Sequence, residues 1–376
     1  MKETACYIHI PFCDHKCIYC DFYSIITSGN ISPFLVSLKK EISYYAGQYS
    51  SDRILTSIYF GGGTPSLMEP EYLEEIITTV RTNFNVSDTA ELTMETNPGT
   101  VNRKKLKKFK EADINRISIG IQSFHEDELS FLTRIHNSET AIDTVNKAAD
   151  VGFDNISIDL IFNLPGQTKE KWIGNLELAI KLPIKHISAY SLILERGTIL
   201  NKMVLDEKVI LHDDDHDADL YETTVEYLTV NGFTQYEVSN FTKSGYECVH
   251  NNAYWRYGDY IGFGTSAHSF INDKRWWNYS SLRKYIYEIE KNDNAVANSE
   301  ILSETEMHDE YVMLALRSAG LDLADYRKRF NDDWIVRNNY YFQKLKDEKL
   351  ILIDKKSIRL TKNGYFVCDE ILRNIL

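Results

Sequence analysis

The sequence predicts an α/β protein: a TIM-like (β/α)6 barrel of parallel strands, partial or closed, followed by a C-terminal winged-helix-like α+β domain. Three observations predict this. Short β-rich runs alternate with amphipathic helical patterns six times along the first half of the chain. Glycine or polar residues stand at the ends of successive runs, where α/β barrels collect their functional groups. The stretch 301–376 changes pattern, to helices followed by a short two-stranded hairpin.

The β-rich runs are ACYIHI, ILTSIYF, AELTME, RISIGI, NISIDLIF and HISAYSLIL, beginning at Ala5, Ile54, Ala90, Arg116, Asn155 and His186. Amphipathic stretches 33–48, 69–83 and 102–111 lie between the first four. This alternation implies right-handed βαβ units and a parallel sheet. The first strand runs into a cysteine loop and the second into Gly61-Gly62-Gly63-Thr64-Pro65. The third ends at Glu95, the fourth leads to Gln122 and the fifth carries Asp159. One such group alone is an ordinary structural hydrogen-bonder; a ring of them facing one cysteine loop predicts a shared site.

The segment 212–233 reads as a helix with acidic residues in its first turn and Gly232 at its end. His212 and His216 are four apart, but a dipole-favoured helix start is preferred over a metal site. Residues 1–240 are expected to form the barrel core. The aromatic and glycine-rich stretch 241–300 is expected to close it, and 301–376 to form the C-terminal domain, with helices over 304–319 and 334–348 and a final helix from Asn363.

Composition excludes several classes. The 376 residues carry a net charge of −13, which repels phosphate backbones, so nucleic-acid binding is not expected. The one basic run, 103–110, reads as the solvated face of a helix. The C-terminal domain lacks the net positive charge of a DNA-binding winged helix. No apolar run reaches membrane-spanning length and no signal-peptide core is visible, so the expected location is the cytoplasm.

Six cysteines are present, and three of them, Cys13, Cys17 and Cys20, fall in the stretch CDHKCIYC. In a reducing compartment a tight cluster binds metal rather than forming disulfides. Zinc needs four ligands in two spaced pairs, and only Cys17 and Cys20 have that spacing. His9 or His15 completing a Cys3His site is the lesser alternative. Three close thiolates suit a cubane iron–sulfur centre with one iron left open. Cys6 and Cys368 read as small core residues.

C-x3-C-x2-C is the signature of radical S-adenosylmethionine (SAM) proteins. With GGGTP and the six βα units, the chain resembles that superfamily. Further runs, YFGGGTPSL, ETNPGT, SIGIQSF, LTRIHN, SIDLIFNLPGQT and HNNAYWRYGDYIGFGTSAHS, resemble the HemW heme-chaperone family over nearly the whole chain. The sister group is HemN, the oxygen-independent coproporphyrinogen III oxidase.

The resemblance implies a 4Fe-4S cluster on Cys13, Cys17 and Cys20, with SAM chelating the open iron. Tyr7, Gly62 and Glu95 match positions that contact that SAM. Gly63, Thr64, Gln122, Arg134 and Asp159 match positions that bind a second SAM in the oxidase, where Arg134 would clamp a carboxylate. The HNNAYW run matches a motif associated with heme, making His250 the candidate axial ligand, with Cys248 a more remote one. His268 is expected to face the SAM site.

Two departures from the oxidase point to the chaperone. Phe22 stands where the oxidase has a fourth cysteine, and the oxidase's long segment before the cysteine motif has no counterpart here. The expected function is to bind heme and deliver it to an acceptor protein, a membrane respiratory haem protein being the expected kind. The oxidase is the alternative.

Overall fold

The computed structural model describes residues 1–26, 29–330 and 333–376. Six parallel strands form the barrel wall: β1 (Lys2–Ile10), β2 (Arg53–Gly62), β3 (Asn85–Thr96), β4 (Arg116–Gln122), β5 (Asn155–Phe162) and β6 (His186–Ser191). They pair in that order. The connecting helices are α1 (Ile31–Tyr49), α2 (Pro70–Asn83), α3 (Arg103–Glu111), α4 (Glu126–Phe131), α5 (Ser138–Asp150) and α6 (Lys169–Ala179).

β4 shows how the wall is built. Ile117, Ile119 and Ile121 point outward into the apolar layer beneath the helices. Arg116, Ser118, Gly120 and Gln122 point inward and line one cavity. The period of two along a strand separates these sets. Register then aligns inward residues around the barrel: Glu95 lies opposite Ser118, and Gly120 opposite Asp159, which lies opposite Ser188. An apolar outer face and a polar inner face on one strand are the signature of a barrel with a built interior.

The segment after β6 both extends the sheet and sends one helix inward. After α7 (Ile199–Leu205) and α8 (Asp214–Val230), β7 (Thr234–Gln235) and β8 (Asn240–Thr242) extend the β6 edge antiparallel. The aromatic segment supplies α9 (Val249–Trp255), then β9 (Asp259–Phe263), β10 (His268–Ile271), β11 (Lys274–Asn278), α10 (Leu282–Asn292) and β12 (Val296–Ile301). β9 pairs parallel with β1, and the others continue outward. These strands therefore lengthen the sheet at its β1 edge, in the order β12-β11-β10-β9-β1 and on to β6-β8-β7. Only α9 turns inward.

The C-terminal unit has its own apolar cluster. Its order is α11 (Glu304–Leu316), β13 (Leu321–Asp322), α12 (Leu323–Arg329), α13 (Asp333–Arg337), α14 (Asn339–Asp347), β14 (Ile351–Ile353) and β15 (Ser357–Leu360), with α15 (Lys362–Phe366) and α16 (Cys368–Ile375) at the end. The three strands pair antiparallel as β13-β15-β14, the helix–strand–helix–hairpin arrangement of a winged helix. The single helix expected over 334–348 is two, α13 and α14. The basic run forms α3, which buries Leu106 and Phe109 and pairs Arg103 with Asp150 and Lys108 with Glu71.

His212 precedes α8, and its ring lies against that of His216, 3.9 Å between centroids. Asp213 caps that helix by accepting from the His216 amide. No helix among the described residues is long and apolar enough to cross a membrane.

Candidate functional site

The cysteine loop folds back over the end of β1. The Cys13 amide donates to the Ile25 carbonyl at 3.0 Å, and the Ile25 amide to Pro11 at 2.8 Å. A turn from Cys17 to Cys20 closes at 3.2 Å. Cys13, Cys17 and Cys20 thereby line one cavity of about 390 Å³ in the barrel mouth. The same cavity is lined by Gly62, Gly63, Thr64, Glu95, Gln122, Arg134 and Asp159. Ten of the eleven residues expected to hold the cluster or SAM meet there; Tyr7 does not line it, nor does His250.

The second strand's glycines make room. A Cβ on Gly62, whose φ is +109°, would lie 2.6 Å from the His9 ring, and one on Gly63 would lie 2.5 Å from the Phe12 carbonyl oxygen. Only glycine fits so close an approach. The Gly62 amide donates to Glu95 Oε2 at 3.3 Å, and Tyr59 Oη donates to Glu95 Oε1 at 2.9 Å. Burial, with Asp159 nearby, pushes the Glu95 carboxyl up to about 7. Burial also raises Asp159.

Arg134 reaches the thiols. Its Nη1 donates to Cys17 Sγ at 3.7 Å, and its Nη2 donates to Asn97 Oδ1 at 2.8 Å and the Gly120 carbonyl at 2.7 Å. Three partners within the protein therefore hold the guanidinium that was expected to clamp a ligand carboxylate. Thr64 Oγ1 accepts from Asn97 Nδ2 at 2.9 Å and lies 3.3 Å from Cys13 Sγ. Burial pushes the Cys20 thiol up.

The donor set fits an iron–sulfur cluster and SAM. Three thiols from one loop share the cavity with a glycine cradle and a carboxylate. Three buried polar atoms on its wall, Thr96 Oγ1, Arg116 Nε and Arg134 Nε, have no hydrogen-bond partner. Among the described residues, no three His, Cys, Asp or Glu side chains gather on a single ion position. A cubane takes one thiolate per iron and needs no such point. His9 does not complete a mononuclear site: its ring nitrogens face Tyr7 Oη at 3.1 Å and the Tyr23 carbonyl at 2.9 Å.

Other residues singled out from the sequence lie outside the cavity. His250 is 2% exposed on α9, beneath the cavity. Its Nδ1 lies 2.9 Å from Ser57 Oγ and its Nε2 3.0 Å from Tyr254 Oη, so neither nitrogen is presented to a haem iron. Cys248 is buried and donates to Glu91 at 3.4 Å, and that burial pushes its thiol up to about 12. His268 is exposed on β10 and stacks on Trp277, away from the cavity. Tyr7 lies below the cavity, 3.0 Å from a Cβ placed on Gly61.

Sequence reasoning missed Asn97, Arg116, Tyr59 and Asn251, all of which line the cavity. Asn97 sits two residues past Glu95, within a run already singled out. Arg116 had a usable signal, a charged residue opening an otherwise apolar strand. It is 2% exposed, and its Nε lies 3.9 Å from Glu91 Oε2.

Comparison with known proteins fits this geometry. The Radical SAM superfamily model matches residues 7–179. HemN coproporphyrinogen III oxidase from Escherichia coli superposes with a TM-score of 0.84 at 23% identity, covering 100% of this chain and 90% of that one. Fold and site thus define a radical SAM protein, a class that carries a 4Fe-4S cluster and SAM. The heme chaperone HemW of Lactococcus lactis subsp. lactis (strain IL1403) is 32% identical over 377 residues, covering 100% of this chain and 98% of the relative. That of Bacillus subtilis (strain 168) is 33% identical, covering 98% and 97%. The chain belongs to the HemW heme-chaperone family. A mitochondrial radical S-adenosyl methionine domain-containing protein 1 of Danio rerio is also similar, at 34% identity.

Proposed function

We propose that this protein is a heme chaperone: it binds heme and passes it to an acceptor protein, using a radical SAM barrel as its scaffold. In this reading Cys13, Cys17 and Cys20 hold the 4Fe-4S cluster. Gly62 and Glu95 contact SAM, with Tyr7 supporting them from below. Gly63, Thr64, Gln122, Arg134 and Asp159 complete the pocket wall. When bound, the cluster and SAM supply one-electron reductive chemistry.

The chain's own residues orient and shield. Glu95, fixed by Tyr59 and Gly62, offers a carboxylate to a cationic ligand, and Arg134 donates to the Cys17 sulfur, lowering the cost of its negative charge.

Heme is assigned to the rim of the mouth. The cavity, at about 390 Å³, lies near the lower end of the range for small-ligand sites, roughly 300–1,000 Å³. With a cluster and SAM inside, it has no room for a macrocycle. The observation that carries the assignment is an apolar rim on the same opening: Phe22 is 64% exposed, Ile193 67% and Tyr190 41%. An exposed apolar patch beside a polar cavity marks a binding surface. Lys16 and Arg196, exposed on the two rim segments, form no ion pair among the described residues and suit propionates. Asp21 and Glu195 beside them limit that positive field.

The test is transfer. Heme-loaded, cluster-reconstituted protein is mixed with an apo haem protein, and the Soret bands of both are followed after separation. Movement of heme to the acceptor, faster than from free heme in buffer, is expected. Retention of all heme on this protein would contradict the reading.

A further inference from the structure

We propose that Arg116 is an anion socket at the base of the mouth cavity, and that with the Asn251 amide it takes the carboxylate of a ligand entering from the mouth. That carboxylate belongs to a small free acid or to a heme propionate. The heme source rests on the reading that the rim binds heme; the socket itself does not.

Arg116 opens β4 and lines the cavity, yet it is 2% exposed. A guanidinium carries five N–H donors and keeps its charge at any ordinary pH. Its Nε has no hydrogen-bond partner, and among the described residues no acceptor pairs with either Nη. The nearest carboxylate, Glu91, stays 3.9 Å from Nε. The Glu91 oxygens are already taken, by the Cys248 thiol at 3.4 Å and the Val249 and His250 amides at 3.1 and 3.2 Å. Arg134 makes the contrast on the same wall: Cys17, Asn97 and the Gly120 carbonyl hold its guanidinium. One arginine of the cavity is satisfied by the protein and the other is not. A buried charge left without hydrogen bonds is strongly destabilising unless something completes it.

Asn251 belongs to the same end of the cavity. Glu91, beside Arg116, holds the amides of Val249 and His250, and Asn251 is the next residue along α9. Its side-chain amide lines the cavity and pairs with nothing among the described residues. A planar guanidinium fork with an amide donor near it suits the two oxygens of a carboxylate. Glu95 and Asp159 share the cavity, and burial pushes both towards their neutral forms. They therefore oppose an incoming anion less than two ionised carboxylates would.

The experiment uses the full chain with its cluster reconstituted anaerobically and SAM present. In one arm, thermal unfolding is followed in sodium propionate and in sodium chloride at equal ionic strength. In the other, heme and its dimethyl ester, which lacks both carboxylates, are compared by Soret titration. If a free acid is the ligand, propionate raises the wild-type midpoint above that in chloride, and Arg116→Gln abolishes the difference. If a heme propionate is the ligand, wild type prefers heme to the ester, and Arg116→Gln cuts that preference by about tenfold, the scale of one hydrogen bond to a charged group. Arg116→Lys, which keeps the charge, should retain part of either effect, and Asn251→Leu should weaken it.

A purely structural Arg116 would lower stability in both salts alike and leave the heme-to-ester ratio unchanged. Equal wild-type midpoints in the two salts, together with an unchanged ratio in Arg116→Gln, would overturn the proposal, leaving a socket that holds water alone. Should Arg116→Gln fail to fold, wild-type behaviour of Arg116→Lys and Asn251→Leu in both arms would overturn it. A wild-type protein that binds neither heme nor its ester would overturn the proposed function instead, and the propionate arm alone would then decide the socket.

Discussion

The two ends of the barrel interior use the same residue types for opposite purposes. At the mouth, three cysteines, Glu95 and Arg134 share an open cavity, and Thr96 Oγ1 and Arg134 Nε are left without partners. At the floor, Cys248, Glu91 and His250 are packed shut. There Glu91 alone accepts from Cys248 Sγ and the Val249 and His250 amides, with Arg116 alongside. Residue type does not decide which cysteine or histidine is functional. The number of hydrogen-bonding positions already filled by the protein does.

The sharpest way to break this contrast is a pair of cysteine variants. Cys13→Ala is expected to abolish bound iron after anaerobic reconstitution, whereas Cys248→Ala should keep full iron content. Iron analysis beside the visible spectrum reads both. Equal iron in the two variants would erase the distinction between mouth and floor.

The floor carboxylate comes next. Glu91→Ala leaves the buried Arg116 without its partner, a change that costs about 3–5 kcal/mol. Denaturant unfolding would measure it, and a loss within experimental error would show that the floor pair is not structural.

Glu95 at the mouth should behave in the opposite sense. Its folded carboxyl lies at about 7, against an ordinary value of 4.5. Between those two values the folded state holds a proton that the unfolded state has released. Stability from this group is therefore full below about 4.5 and is lost as pH rises through 7. In the ligand-free protein, Glu95→Gln should match wild type at low pH and exceed it above pH 7, by something on the order of 3 kcal/mol. Unfolding free energies across that range check it; a gap that does not vary with pH would contradict the buried, strained carboxylate. The same ionisation predicts that SAM, a cation, binds more tightly as pH rises through 7.

The smallest expected effect is at the rim. Phe22→Asp removes an apolar contact of about 1.5–3 kcal/mol when buried, so heme affinity should fall about tenfold. SAM affinity should not change. A Soret titration with no shift would move heme off the rim.

Much of the barrel was legible in the sequence because periodicity and strand-end chemistry are local. β4, β5 and β6 begin at the expected Arg116, Asn155 and His186. β3 begins at Asn85, before the expected Ala90, because its early residues pair with β2 ahead of a register shift. Eight of the ten residues that meet in the cavity stand at strand ends or in the loops that follow them, where barrel topology brings distant positions together; Asp159 lies within β5, and Arg134 follows α4. The burial of His250 is something no local pattern reveals. A histidine among aromatics reads the same whether it faces a ligand or a buried tyrosine. Only the packing of α9 against β1 and β2 decides between them. The fate of 241–300 was likewise a matter of which sheet edge it joins, and sequence spacing does not encode that choice.

The central claim is that this radical SAM scaffold carries heme rather than making its precursor. The most direct test is anaerobic incubation of the cluster-reconstituted protein with SAM, a low-potential reductant and coproporphyrinogen III, with porphyrins separated and weighed by mass spectrometry. The account predicts that coproporphyrinogen is recovered unchanged while added heme binds and is released intact. Formation of protoporphyrinogen would contradict it.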